Sequence, residues 1–130
     1  MANIFFKSVQ HKQRFLVTME DIGKIYRGTF DAEYSAAVYI LTSDSWTWKQ
    51  TSDYVGQDGI DIEGMLQDIS FSGGWTVLVQ LAGNLFNDQQ HIDPIELLRL
   101  DETNFNVALT AIQLRRYDLT VHDFLQGGVA

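Results

Sequence analysis

Between Asp68 and Asp88 the chain runs nineteen residues without a charged side chain, from Ile69 to Asn87, ISFSGGWTVLVQLAGNLFN. Trp75, Leu78, Ala82 and Leu85 form one helical stripe, while Val77, Val79, Leu81 and Phe86 fall outside it. A helix apolar on most sides is surrounded by protein or lipid. Ser72, Gly73, Gly74, Thr76, Gln80, Gly83 and Asn84 interrupt this one too often for a membrane span. The pattern predicts the central helix of a small helical domain, with Leu78, Leu81, Ala82 and Leu85 buried against helices over 31–42 and 102–116.

The flanking patterns supply the partners. Ser8 is a suitable N-cap for a helix burying Phe15, Leu16, Met19 and Ile22, and Gly23 ends it. Asp31 opens a second helix. Tyr34, Ala37, Val38 and Leu41 have helical spacing, with Ala36, Tyr39 and Ile40 widening the apolar surface. Trp46 and Trp48 alternate as in a strand, yet Asp44 equally suits a capped helical turn. Thr51 to Gly64 reads as a loop, with a minor extended segment near 60–62 and a helical turn around Gly64–Gln67. Asp93-Pro94 starts a short helix through Leu100. Asp101 caps a last long helix with a stripe of Phe105, Ala108, Leu109 and Ile112. Residues 117–130 form a C-terminal extension or one more short helix. The expected fold is all-α: one compact helical bundle over residues 1–130, around a buried central helix.

Composition supports one core. The 130 residues are 45% hydrophobic, with a single proline and no cysteine. Disulfides, thiolate catalysis and Cys-based metal sites are excluded. The start, MANIFFKSVQ, lacks a signal-peptide pattern, so a cytoplasmic location is the expectation. The net charge of −8 is uneven: residues 1–30 carry +3, residues 31–98 carry −10 and residues 99–130 carry −1. An acidic middle repels phosphate backbones and disfavours nucleic acid as a partner.

Candidate chemistry is sparse. His91 with Asp93, and His122 with Asp123, match no zinc motif, and His11, His91 and His122 all read as surface residues. The acidic run Asp58–Glu63 fails the spacing of a calcium loop. Phosphate-loop and nucleophile-elbow patterns are missing. No cofactor, metal or catalytic residue is expected. Candidate interaction or anion contacts are His11, Arg14, Arg115 and Arg116, because basic groups grip carboxylates and phosphates. Trp46 and Trp48 join them as aromatic anchors, although tryptophan more often anchors a core.

Several short runs recur in order: His11-Lys12-Gln13-Arg14-Phe15, Asp31-Ala32-Glu33 before the apolar Ala37–Leu41, Leu81-Ala82-Gly83-Asn84-Leu85-Phe86-Asn87, and Leu100-Asp101-Glu102-Thr103-Asn104-Phe105-Asn106-Val107-Ala108-Leu109 leading to Ala111-Ile112 and Arg115. Over about residues 10–116 they resemble a small family of bacteria and their phages, catalogued as a domain of unknown function. The resemblance implies a short single-domain helical protein and transfers no activity. The expected role is a non-enzymatic protein-interaction or regulatory domain in a phage or mobile-element setting, with a protein partner or self-association. The alternative is a small-ligand binder or an enzyme with an unrecognised site around His11, Arg14, Arg115, Arg116 and the Asp58–Glu63 loop.

Overall fold

A computed structural model describes residues 4–129. The chain runs β1 (Phe5–Phe6), α1 (Val9–Asp21), β2 (Ile25–Tyr26), β3 (Thr29–Phe30), α2 (Ala32–Leu41) and α3 (Ser45–Thr51). A 3-10 turn (Ser52–Tyr54), β4 (Val55–Gly56), β5 (Gly59–Ile60), α4 (Ile62–Asp68) and α5 (Gly73–Asn87) follow. Then come α6 (Pro94–Leu97), α7 (Glu102–Arg116), β6 (Leu119–Thr120), α8 (Val121–Gln126) and β7 (Gly128–Val129). The fold is mostly helical and forms one compact domain. It is not purely all-α, because seven two-residue strands make three small sheets. β1 pairs parallel with β7, β3 lies between β2 and β6, and β4 pairs antiparallel with β5. Two residues cannot show an alternating pattern, so these strands leave no trace in the hydrophobic periodicity.

Helix starts follow side-chain oxygens. Ser8, Asp31, Asp44 and Asp101 each accept the backbone N–H three residues on, satisfying a donor that the helix leaves free. Asp61 does the same for α4, bonding Gly64 N–H at 2.9 Å. Asp44 thereby settles the Trp46–Trp48 segment as helix.

The centre of the domain is α2 rather than α5. Every residue from Tyr34 to Leu41 is buried, and α2 packs against α1, α5 and α7. Its sequence is apolar or small on all sides, as a fully enclosed helix requires. In α5, Leu78, Leu81 and Ala82 are buried as expected, and Leu85 is half-buried against the core. The buried face of α7 is rotated from the expected stripe. Val107, Ala108, Thr110, Ala111 and Leu114 are buried, Phe105 is half-buried, and Leu109 and Ile112 face solvent. Ala108 and Ala111 present little side-chain bulk at the α2 contact, whereas counting large residues points to the wrong face. The segment from 117 onward packs on the domain, with Leu119 and Phe124 in the core.

Gly83 marks a close contact between α5 and the start of α4. A Cβ there would lie 2.8 Å from Ile62 Cγ2 and 2.9 Å from Gln90 Cγ. Ile62 is buried and branched, so it has little freedom to move. Gly83→Ala is expected to destabilise by about 1–2 kcal/mol, overpacking outweighing the gain in helix propensity. Gly74→Ala, whose Cβ has room, serves as the control in urea denaturation. A stabilised Gly83→Ala protein would contradict this packing.

Candidate functional site

The six sequence candidates are not gathered into one site. His11 is not a surface residue. It is fully buried, with Nε2 2.9 Å from Tyr39 O and Nδ1 accepting the Lys7 N–H at 3.0 Å. These bonds place the proton on Nε2 and satisfy both ring nitrogens, which is what makes an enclosed histidine tolerable. Burial lowers its pKa from 6.5 to about 4, with Arg14 and Lys7 adding repulsion, so it is neutral at pH 7 and offers no charge to an anion. Arg14 Nε donates to Thr42 O at 2.9 Å, and Arg115 Nε donates to Leu85 O at 2.8 Å. Both arginines thus bond carbonyls at helix C-terminal ends, of α2 and α5. Arg116 lies over the Tyr117 ring. Trp48 is half-buried against the core, while Trp46 is 50% exposed with its ring edge-on to Phe71. Arg14 also lines a polar cleft of about 410 Å³ with Lys7, Ser8 and Ser43–Ser45.

A larger concave surface lies elsewhere, where the β4–β5 hairpin meets the start of α2 and the end of α5. Its volume is about 760 Å³, and its walls are Lys24, Tyr34, Tyr54, residues 56–61, Phe86, Asn87 and Gln89. The local sequence builds it stepwise. Val55-Gly56 and Gly59-Ile60 pair across Gln57-Asp58, and Gly59 has φ +150°, a conformation reserved for glycine. Gln89 Nε2 donates to Ile60 O at 2.9 Å, and the Asp61 N–H donates to Tyr54 O at 2.9 Å. The second bond extends the hairpin ladder, and the first ties the hairpin to the segment that follows α5.

Tyr34 is the post of this cleft. Asp31 accepts its backbone N–H at 2.9 Å and fixes it in the first turn of α2. Its ring stands edge-to-face on Phe86, centroids 4.9 Å apart at 87°. Its hydroxyl lies 2.8 Å from Gly56 O and 3.1 Å from Gln57 O, donating to the hairpin backbone. The Lys24 ammonium sits 4.4 Å from the ring centroid. Burial raises the Tyr34 pKa, and Asp31, Asp58 and Glu33 push it further up. Tyr54 is raised by its hydrogen bond to Asp68 Oδ2 at 2.8 Å and by Asp61 and Asp53 nearby. The cleft therefore combines two tyrosines with an excess of carboxylates, the chemistry that holds a cation. Among the described residues no three His, Cys, Asp or Glu side chains are grouped to hold a metal ion, and no helix is long and apolar enough to cross a membrane.

The acidic run was visible in the sequence, but Tyr34, Tyr54 and Lys24 were not legible as site residues. Tyr34 fits the apolar stripe of α2 and was explained by it. The usable signal was Gln57-Asp58 between Gly56 and Gly59, which marks a hairpin able to double back on a neighbouring aromatic residue.

No curated protein and no solved structure matches the chain. A family model does match residues 1–123, reaching past the recurrent runs into α8. The chain therefore belongs to the Family of unknown function (DUF6075).

Proposed function

We propose that the protein is a non-enzymatic interaction domain that docks a basic segment of a protein partner in the hairpin cleft. The observation that carries this reading is the cleft itself, about 760 Å³ in volume, with Tyr34 and Tyr54 in its walls beside Asp58 and Asp61. The −10 carried by residues 31–98 draws a cationic partner toward it over several ångströms, a steering effect that salt weakens. Tyr34, Tyr54, Asp61 and Gln89 are each held by a hydrogen bond, which lowers the ordering cost to be met on docking. The cleft volume also lies within the roughly 300–1,000 Å³ typical of small-molecule sites. That favours a second reading, a small cationic ligand in the same place.

Covalent capture in the native host separates the two. A photoreactive side chain replacing Gln57, on the hairpin, is expected to trap a protein. The same group replacing Gln50, exposed on α3, is not.

A further inference from the structure

We infer that the group the cleft is built to take is a partner's arginine or lysine side chain, and that Lys24 occupies its place in the free protein. This rests on the reading of the cleft as a docking surface and adds what is recognised there and what competes for it.

The Lys24 backbone is fixed. Its N–H donates to Met19 O at 2.9 Å, and its carbonyl accepts the Asp31 N–H at 2.8 Å. Its side chain is not fixed in the same way. Among the described residues it makes no ion pair, and its ammonium meets the face of Tyr34 instead. A lysine with no carboxylate partner in so acidic a region has been placed by the ring. Such a contact is worth about 0.5–1 kcal/mol where water has access, little enough for a better cation to replace it. A guanidinium is that better cation, being flat, weakly hydrated and able to stack while its N–H groups reach carboxylates.

Lys24 also stands between two clefts. It lines the large one and a second of about 310 Å³, formed with Tyr26, Thr29, Phe30 and Asp31. Both clefts are bounded by the Lys24 side chain, so moving its four-carbon stem aside would open one toward the other, from Tyr26 past Tyr34 to the hairpin. Asp31 and Asp58 then lie along a path that an extended basic segment can follow, and Tyr26, 72% exposed, offers a second aromatic ring, with the Arg27 guanidinium 5.3 Å from its centroid in the free protein.

The test uses a fluorescein-labelled hexa-arginine peptide and anisotropy at low ionic strength, with the full chain. Lys24→Ala and Lys49→Ala each remove one positive charge, but only the first empties the Tyr34 face. Lys24→Ala is expected to tighten binding about 2- to 5-fold, the equivalent of the released contact. Lys49→Ala is expected to change it by less than about 2-fold, the size of a screened surface charge. Equal tightening by both would reduce the effect to net charge and overturn the inference, as would weaker binding by Lys24→Ala. In the unaltered protein the Lys24 ε-methylene protons should resonate upfield because of the Tyr34 ring. They should return toward the random-coil position as the peptide saturates, and a position unmoved by saturation would also overturn the inference. If hexa-arginine binds neither protein while position 57 still traps a partner in the host, this inference fails, and with it the basic character of the docked segment, while the place of docking stands. If position 57 traps nothing beyond what position 50 does, the underlying reading fails as well.

Discussion

Replacing Tyr34 with alanine is expected to cost about 3–4 kcal/mol of stability, the range for removing a large buried aromatic side chain. Three contacts disappear together: the edge-to-face packing on Phe86, the hydroxyl bond to the β4–β5 hairpin and the ring beneath Lys24. The cleft would lose its wall, and docking would be lost with it. Tyr34→Phe separates these roles. It keeps the ring and removes only the hydroxyl, leaving Gly56 O and Gln57 O without their donor. Both carbonyls belong to a surface hairpin where water can substitute, so the cost should be about 1 kcal/mol. Amide hydrogen exchange in residues 55–60 should accelerate in Tyr34→Phe while the α2 amides stay protected. Urea denaturation gives the stabilities. A Tyr34→Ala protein as stable as Tyr34→Phe would mean that the ring does not hold this region together.

The second large effect is a pH dependence. His11 has a folded pKa of about 4 against 6.5 for a free histidine, chiefly because it is buried. Above pH 6.5 both the folded and unfolded chains are neutral at this position. Between pH 6.5 and about 4 the unfolded chain binds a proton that the folded chain refuses, so stability falls as the pH drops. Below about 4 both forms are protonated, and the loss levels off at about 3 kcal/mol. Protonation would put a proton on Nδ1, which now accepts the Lys7 N–H, and β1 would lose that anchor. β7 would then be affected, because it pairs with β1. His11→Gln should be less stable than the unaltered protein at pH 7 by about 1–3 kcal/mol, having lost the Nδ1 acceptor and the packing on Phe6 and Tyr39. Its stability should fall less between pH 6.5 and 4, so the gap narrows with acid. Carboxylates titrate in both proteins, and the difference between them isolates His11. Parallel pH profiles would show that His11 is not the group responsible.

The two effects fall in parts of the molecule that the sequence exposes unequally. The long helices were legible from apolar positions at helical spacing, and four helix starts from a capping oxygen. Ser8, Asp31, Asp44 and Asp101 are each found where a cap was expected. The face of α7 was legible only in part: Ala108 is buried as expected, while Val107, Thr110 and Ala111 take the places in the core expected of Leu109 and Ile112. The place of α2 at the centre was not legible. α5 has the longer charge-free run, but α2 has helices against more of its surface. His11 was misplaced for a similar reason: burial depends on two backbone partners, Lys7 N–H and Tyr39 O, and the second lies 28 residues away. Arg115 suited the end of its own helix by charge, yet it bonds Leu85 O of another. The cleft needed Lys24, Tyr34, the hairpin and Gln89 brought together from four segments. Only the acidic part of it is continuous in the chain.

A protein partner that meets this molecule at the hairpin cleft through a cationic segment can be caught there covalently. The most direct measurement is the cross-linking yield in host lysate from the photoreactive group at position 57, with and without excess hexa-arginine peptide, against the same group at position 50. One dominant protein adduct is expected at position 57, suppressed by the peptide, and none of it at position 50. Equal adducts at both positions, or an adduct at 57 that the peptide leaves unchanged, would contradict docking of a cationic segment in the cleft.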